Sequence, residues 1–396
     1  MKKLFLGSFA IVLTMSSYAQ SGKVISAYNY LQSYLNKEGA SNLVEAAKNI
    51  DIAAGDPSTS ESTKTWWYRS QVYQSIANER TLADQYPKAS LEAMRSFEKM
   101  RDLNDPKFKD WKDAYENMKS IAVSLFNNGI DAFNKKNYHD AYLFFMGVSN
   151  IQDILTAKGQ NEPIKTLTSS LGNAALSAEN DKDYPTAIAA YKKLLPVSKD
   201  SAAYISLVSL LKKAANAEKA KGNADDAKKY LEEAKAITDQ ALAKYPASKD
   251  LLIDKINFYL TDGKYSDAIT YIQSAITQDP KNEQLYAVLG LAYSQTGDTT
   301  KARQTYENLL LMNPNNVDAN RGLGAMIFNR QKLLQEQINA LGATKEDLRK
   351  AEELTAKRNA IFLEAKPYLQ KALDGKPDDD EIRKILTVID ARTKKD

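Results

Sequence analysis

The chain has 396 residues, of which 43% are hydrophobic and 26% are charged. These proportions are typical of globular proteins and exclude a wholly disordered chain. Lysine and arginine (54) nearly balance aspartate and glutamate (50), and with a formal charge of +4 and no basic stripe carrying interleaved aromatic residues, a nucleic-acid partner is not expected.

The first element is an N-terminal segment with the pattern of a secretory signal peptide. Two lysines precede an apolar run over 4–15, which is too short to span a bilayer. Ser17 and Ala19 have the spacing of small residues at a cleavage site. A buried N-terminal helix is the alternative, and it fits these flanks less well. We expect cleavage of residues 1–19, which removes both lysines and lowers the formal charge from +4 to +2.

Cysteine is absent, so the sequence holds no disulfide, no thiol nucleophile and no cysteine ligand for a metal. The cleavage site also lacks the cysteine that a bacterial lipoprotein needs, and we therefore predict no lipid anchor. No later run of 18 apolar residues occurs, which predicts no transmembrane segment after cleavage. We expect a soluble exported protein in the periplasm, held at a membrane only through a partner.

From residue 23 onward, apolar residues recur at helical spacing in paired segments separated by polar turns. At the N-terminus only the second segment of the pair is clear, through Ala46, Ile50 and Ala53. Helical hairpins are predicted near 23–58, 61–106, 109–155, 163–199, 200–248, 249–282, 283–316 and 317–380, followed by a cap over 381–396.

The clearest units, 249–282 and 283–316, are related by a shift of 34 residues. Gly290 interrupts a helix there, although glycine costs about 1 kcal/mol relative to alanine in a helix interior. Because Gly129 and Gly324 occupy the same position in other units, we interpret it as a point where two helices pack closely. In the unit 283–316 the matching positions are Tyr286, Leu289, Gly290, Tyr293, Ala302, Tyr306, Leu309 and Pro314. In the unit 249–282 the same positions, 34 residues earlier, hold Leu252, Lys255, Ile256, Tyr259, Ala268, Ile272, Ala275 and Pro280.

This spacing resembles the tetratricopeptide repeat family, whose pattern of large, small and aromatic residues is matched closely by 283–316. The resemblance implies an all-α fold, a right-handed α-solenoid of about eight antiparallel helical hairpins that stabilise one another. No Gly/Ser-rich or Pro-rich linker divides the chain, so we predict a single domain over 20–396.

The last unit is larger than the others. Gly324 and Ala365 are 41 residues apart, where the regular units have 12, so 29 residues are inserted. The insert has helical periodicity broken once, at 341–344, which predicts a long protruding hairpin near 330–361. The final segment, 381–396, is amphipathic with a charged end, as expected of a helix that closes a solenoid against solvent.

Catalytic and cofactor-binding motifs are absent from the sequence, which predicts no enzyme activity, no catalytic residue and no cofactor. His139 is the one histidine, and we expect it to be solvated in a turn between paired helices. The carboxylates over 378–381 are contiguous, whereas calcium ligands alternate along a loop. Their position suits the start of the last helix, and we predict no metal site.

In the tetratricopeptide repeat family, ligands usually lie in a concave groove formed by the first helix of each repeat. Each repeat pattern begins with a large residue, which is Tyr286 in the unit 283–316. The resemblance implies that the residues lining the groove lie one, five, eight and nine positions after that large residue. Ile253 and Ala287 stand where carboxylate-binding repeats carry lysine, so a clamp for a C-terminal carboxylate is not expected. The lining is apolar and amide-rich, which suits an extended or helical segment with apolar side chains. For Trp67, two orientations stay open, toward the groove or packed on the N-terminal hairpin. The predicted partner-binding residues are Trp67, Gln71, Phe126, Ile130, Phe133, Leu176, Ile253, Asn257, Ala287, Leu291 and Gln295.

The sequence therefore favours a non-enzymatic scaffold of the cell envelope that binds another protein, either a component of an envelope complex or an exported polypeptide. The alternative is a carbohydrate-binding protein of the envelope that presents Trp67 and surface tyrosines to glycans. The predicted long hairpin offers a second docking surface through Leu333, Leu334, Ile338 and Leu348.

Overall fold

The structure, a computed structural model, describes residues 22–394, and the predicted signal peptide over 1–19 lies outside that range. The helices are α1 (22–35), α2 (Ser41–Gly55), α3 (Thr63–Asn78), α4 (Ala89–Leu103), α5 (Trp111–Asn134), α6 (Tyr138–Ala157), α7 (Leu167–Asn180), α8 (Tyr184–Leu194), α9 (Ala202–Ala220), α10 (Ala224–Lys244), α11 (Lys249–Thr261), α12 (Tyr265–Gln278), α13 (Glu283–Gln295), α14 (Thr299–Met312), α15 (Val317–Asn329), α16 (Gln331–Asn339), α17 (Lys345–Gly375) and α18 (Asp380–Thr393), with a 3₁₀ turn at Arg80–Leu82.

Consecutive helices pack as pairs, which confirms the predicted all-α architecture of the tetratricopeptide type. The pairs in contact include α3 with α4, α5 with α6, α7 with α8, α11 with α12, α13 with α14, and α15 with α17. The last helix, α18, buries Ile382, Leu386 and Ile389 and leaves its charged face exposed, so it closes the array as predicted.

The chain divides into two compact units, one ending at Ala234 and the other beginning at Lys235. The boundary falls inside α10. The single domain over 20–396 stays a prediction.

In the first unit, the N-terminal pair is anchored through its second helix. Ala46, Ile50 and Ala53 of α2 are fully buried, as their spacing predicted. The described part of α1 is joined to α2 by a hydrogen bond from Lys23 Nζ to Asn49 Oδ1, at 3.1 Å.

The second unit contains two hydrophobic clusters that follow one another along the chain. One is formed by α11 to α14, around Ile256, Ile272 and Tyr293. The other joins α13 and α14 to α15, α17 and α18, around Tyr306 and Phe362. Each helix therefore buries its apolar stripe against its neighbours along the chain, as repeat architecture requires.

The long hairpin is present, but its first arm is not one continuous helix. The regular helical hydrogen bonding stops at Arg330, whose backbone amide donates to the carbonyl of Ile327. The next helix, α16, begins at the following residue. Such a tighter i to i−3 bond marks a short 3₁₀-type turn. The second arm, α17, runs unbroken for 31 residues.

Gly290 is the point of closest approach within the α13–α14 pair. A Cβ atom added there would lie 2.7 Å from Cζ of Tyr306, closer than real Cβ contacts allow. Gly129 faces the ring of Phe145 in the same way, with Cδ1 at 2.7 Å, and Gly324 faces Leu369, with Cδ2 at 2.8 Å. The interpretation of this glycine position as a helix-packing contact is therefore confirmed.

Two repeats place a cation where the regular unit has an aliphatic residue. In the first unit, the Arg69 guanidinium of α3 pairs with Asp51 of α2 at 2.9 Å and with Glu92 of α4 at 2.7 Å. In the second unit, Lys255 of α11 pairs with Asp239 of α10. Arg69 and Lys255 each join a first helix to the second helix that precedes it in the chain, and Arg69 also joins α3 to the second helix that follows it, α4.

Within residues 22–394, no helix combines the length and the apolar character that crossing a bilayer requires.

We predict that Gly290→Ala destabilises the second unit. The added methyl group overlaps the Tyr306 ring, and overpacking of this kind costs about 1–3 kcal/mol. The better helix propensity of alanine offsets about 1 kcal/mol of this cost. The expected net loss is therefore up to about 2 kcal/mol of the free energy that protects α13 amides from hydrogen exchange.

The matched control is Gly172→Ala in α7, where an added Cβ would meet only Leu194 Cδ2 at 3.9 Å, an ordinary contact. We expect this substitution to increase the protection of α7 amides by about 0.5–1 kcal/mol. Equal or greater protection of α13 in Gly290→Ala would contradict the packing argument.

Candidate functional site

The predicted partner-binding residues fall into three groups by exposure. Those with the largest exposed surface are the aliphatic residues Ile130, Leu176, Ile253 and Leu291, on α5, α7, α11 and α13, between 37% and 44% exposed. Asn257 of α11 and Gln295 of α13 are exposed as well. First helices therefore carry a series of exposed apolar and amide side chains at the predicted offsets.

A second group is half-buried and supported by neighbouring rings. Phe126 lies edge-on to Phe145, with ring centroids 5.8 Å apart, and Phe133 lies edge-on to Tyr138 at 5.3 Å. Gln71 of α3 is also half-buried. Each of these side chains is therefore partly exposed to solvent and partly packed against its own hairpin.

Trp67 is buried, with 6% of its surface exposed. Its indole lies 6.1 Å from the ring of Phe97 and 6.2 Å from that of Phe108, between α4 and the segment before α5. It therefore packs internally, against α4 and the segment before α5. The neighbouring Trp66 is half-buried, and its indole N–H donates to the carbonyl of Ser60 at 2.7 Å.

The remaining predicted residue, Ala287, is also buried, yet it lines a cavity on the side of α13 that faces α15. This α13–α15 cavity has a volume of about 320 Å³ and brings Ala287, Leu291 and Gln295 together. Its other lining residues are Gln284, Val288, Ser294, Tyr306, Asp318, Arg321, Gly322, Ala325, Met326 and Asn329.

The α15 side of this cavity was missed by the sequence analysis, although the sequence contains the signal. Applying the same offsets to the last unit, whose large position is Asn320, gives Arg321, Ala325, Phe328 and Asn329. All of them except Phe328 line the cavity.

The lining of the α13–α15 cavity combines apolar side chains with side-chain amides. Val288, Leu291 and Met326 supply the apolar surface, and Gln284, Gln295 and Asn329 supply side-chain amides. An amide both donates and accepts hydrogen bonds, so it can pair with the main chain of a polypeptide in either sense.

Charge is present at one end of the cavity only. The Arg321 guanidinium donates to Asp379 at 3.0 Å and to Glu381 at 2.5 Å, so it fastens α18 to α15. Asp379 also caps α18 by accepting from the amide of Ile382 at 3.1 Å, which is the capping role expected for the acidic run over 378–381. Asp318, one turn before Arg321, is exposed.

A larger cavity of about 720 Å³ adjoins the first and shares Ser294, Met326 and Asn329 with it. It opens between the start of α14 and the end of α15, beside Arg330. Arg330 donates to Glu364 of α17 at 2.9 Å, so the base of the long hairpin is fixed next to both cavities.

The long hairpin itself presents a partly apolar surface. Leu333 and Leu348 are 63% and 56% exposed, Leu334 and Ile338 are half-buried, and no residue of α16 is fully buried.

His139, expected to be solvated, is exposed in the first turn of α6.

Comparison with known proteins shows a similarity to one repeat family. The sequence profile described as "Tetratricopeptide repeat" matches residues 220–290 and again residues 259–327. Three similar solved structures are a TPR repeats protein from Bacteroides fragilis, the C-terminal part of a TPR repeat-containing protein from Cytophaga hutchinsonii, and YrrB, described as a TPR protein with an unusual peptide-binding site.

These likenesses are distant in sequence. The Bacteroides protein is 19% identical, with 68% of this chain and 98% of that chain covered and a TM-score of 0.29. The Cytophaga protein is 16% identical, with 66% of this chain and 99% of that chain covered and a TM-score of 0.35. YrrB is 13% identical, with 53% of this chain and 96% of that chain covered and a TM-score of 0.35. The profile matches fall on the regular hairpins from α10 to α15, and tetratricopeptide repeats are thereby identified within residues 220–327 of the chain.

Proposed function

We propose that this protein is a non-enzymatic scaffold that binds another polypeptide along its first helices, with the α13–α15 cavity as the main contact. Tetratricopeptide repeat proteins mediate protein–protein interactions. The observation that carries the proposal is the cavity itself, whose lining combines exposed Leu291 and half-buried Met326 with side-chain amides of both helices.

A polypeptide fits this cavity better than a small charged metabolite does. Its volume, about 320 Å³, is at the lower end of the range for ligand sites. One or two apolar side chains would fill it, while the amides of Gln284, Gln295 and Asn329 pair with the adjacent main chain. The neighbouring larger cavity leaves room for the segment to continue toward the hairpin base.

The compartment we propose is the cell envelope, with a partner that is an envelope complex component or an exported polypeptide. The support is the signal-peptide pattern over 1–19, together with the absence of cysteine from the chain. The carbohydrate-binding alternative called on Trp67 and on surface tyrosines. Trp67 is buried, so only the tyrosines remain in its support.

Leu291→Glu is expected to abolish binding without unfolding the protein. Leu291 is 44% exposed, so the folded chain tolerates a carboxylate there, whereas a bound apolar segment would bury that charge without a partner. We expect a loss of at least about tenfold in affinity, or about 1.4 kcal/mol, measured on peptides selected against the chain from a random dodecapeptide library.

The matched control is Leu311→Glu on α14, a leucine that is 84% exposed and lies on a second helix. It makes the same chemical change away from the cavity, and we expect unchanged affinity. Equal losses in the two variants, or none in either, would refute the proposed site.

Export is tested by the N-terminus of the expressed chain. In a double-membraned bacterium we expect the periplasmic fraction to contain a chain that begins at Gln20, as read by intact mass. Val12→Arg places a charge in the apolar run and should leave an unprocessed cytoplasmic chain. Leu35→Arg, at an exposed position of α1, should be processed normally. Cytoplasmic retention of the unaltered chain would exclude the envelope assignment.

A further inference from the structure

The ring of Tyr306 passes between two first helices at positions that have no side chain. A Cβ atom added at Gly290 of α13 would lie 2.7 Å from Cζ of this tyrosine, and one added at Gly322 of α15 would lie 2.6 Å from Cε2. The side chain is only 4% exposed. Glycine at both positions lets a residue of the second helix α14 reach the surface formed by α13 and α15.

The hydroxyl of Tyr306 emerges at that surface without a hydrogen-bond partner. Tyr306 lines the α13–α15 cavity, and a Cβ atom at Gly322 would be 2.8 Å from its hydroxyl oxygen. Among residues 22–394, none forms a hydrogen bond with this hydroxyl. The ring is buried, but the hydroxyl oxygen keeps contact with solvent, so a ligand in the cavity can reach it.

Other units of the chain show that packing at this position does not need the hydroxyl. Phe97 and Phe145 occupy the equivalent position and are fully buried, and Phe145 packs on Gly129 as Tyr306 packs on Gly290. Tyr191 carries a hydroxyl there, and it is satisfied by Ser206. The Tyr306 hydroxyl is thus an additional polar group, placed in the cavity and left unpaired by the fold.

We propose that the Tyr306 hydroxyl is a ligand-contacting group that donates a hydrogen bond to a main-chain carbonyl of the bound polypeptide. This inference rests on the proposed function and adds the atom that the ligand meets at the centre of the cavity.

The phenol is a donor at neutral pH. Burial raises the pKa of Tyr306 to about 12, Asp318 adds to the shift, and Arg321 opposes it. The hydroxyl therefore keeps its proton over the whole physiological range.

The surrounding charges favour a neutral acceptor over a carboxylate. Asp318 lies near the hydroxyl, and the positive charge of Arg321 is already engaged by Asp379 and Glu381. A second carboxylate would be repelled there, whereas a peptide carbonyl carries no net charge. The same acidic side chains favour a lysine or arginine in the ligand next to that carbonyl.

The test uses residues 20–396 and peptides selected from a random dodecapeptide library, keeping only those whose binding Leu291→Glu abolishes. Tyr306→Phe removes one oxygen atom and preserves the ring between the glycines. We expect its affinity, measured by fluorescence polarisation, to fall about three- to tenfold, the usual loss for one neutral hydrogen bond. Its urea midpoint should stay unchanged.

The matched control is Tyr293→Phe in α13, whose hydroxyl accepts a hydrogen bond from Gln273 Nε2 at 2.9 Å inside the fold. This variant should lose stability and keep its affinity, the reverse of Tyr306→Phe. Among the retained peptides, replacing a residue beside the contact by glutamate should weaken binding to the unaltered chain, and replacing it by lysine should not.

The outcomes separate the two proposals. Unchanged affinity in Tyr306→Phe overturns the hydroxyl contact and leaves the proposed site intact. A fall in its urea midpoint as large as that of Tyr293→Phe shows that the hydroxyl serves the fold, which also overturns the contact. If no selected peptide depends on Leu291, the proposed function is wrong and the hydroxyl contact is rejected with it.

Discussion

The contact between a second-helix side chain and a glycine of the first helix sets the spacing of the hairpins in which it occurs. Gly290 with Tyr306, and Gly129 with Phe145, each bring an aromatic ring against bare backbone. In a repeat architecture, each unit is stabilised only by its immediate neighbours, so the distance between paired helices is set locally. A large side chain and a missing Cβ fit together because interiors are close-packed and tolerate neither voids nor overlap. The conformational cost of glycine in a helix is the price of that fit.

The same constraint explains why the cavity lies between α13 and α15. The Tyr306 ring lies between two glycines, Gly290 of α13 and Gly322 of α15. The Tyr306 ring fills the space that the missing Cβ atoms leave, and it forms part of the wall of the recess between the two first helices. A contact that stabilises the hairpin thereby also places a phenol hydroxyl in a recess lined by apolar and amide side chains.

The sequence predicted the packing better than the surface, and particular residues show why. Gly290 and the buried positions Ala46, Ile50 and Ala53 follow from periodicity, which core packing enforces over the whole chain. Surface offsets are weaker guides, because side chains one residue apart on a helix point only about 100° apart. In the pair Trp66 and Trp67, the second indole is the buried one, since Phe97 and Phe108 surround it.

The break at Arg330 was not predictable from periodicity either. The apolar spacing of α15 continues into α16, and a single residue that changes from an i−4 to an i−3 hydrogen bond leaves no gap in such a pattern. The side chain of Arg330 makes its contact 34 residues away in sequence, where Glu364 of α17 accepts from its guanidinium. A contact between residues so far apart in sequence can be predicted only when the position of α17 relative to α16 is known.

The inserted hairpin and the cavity are connected by this geometry. The N-terminal half of α17 packs with α16, while its C-terminal half packs with α15 in the manner of a regular second helix. Glu364 lies near the junction of the two halves, where it holds Arg330 and lies 3.9 Å from Arg303 of α14. The larger cavity opens between those helices, lined by both arginines, and shares Met326 with the smaller one. The irregular unit therefore borders the recess that the regular glycine contacts create, and a segment that leaves the α13–α15 cavity past Met326 meets the base of the hairpin next.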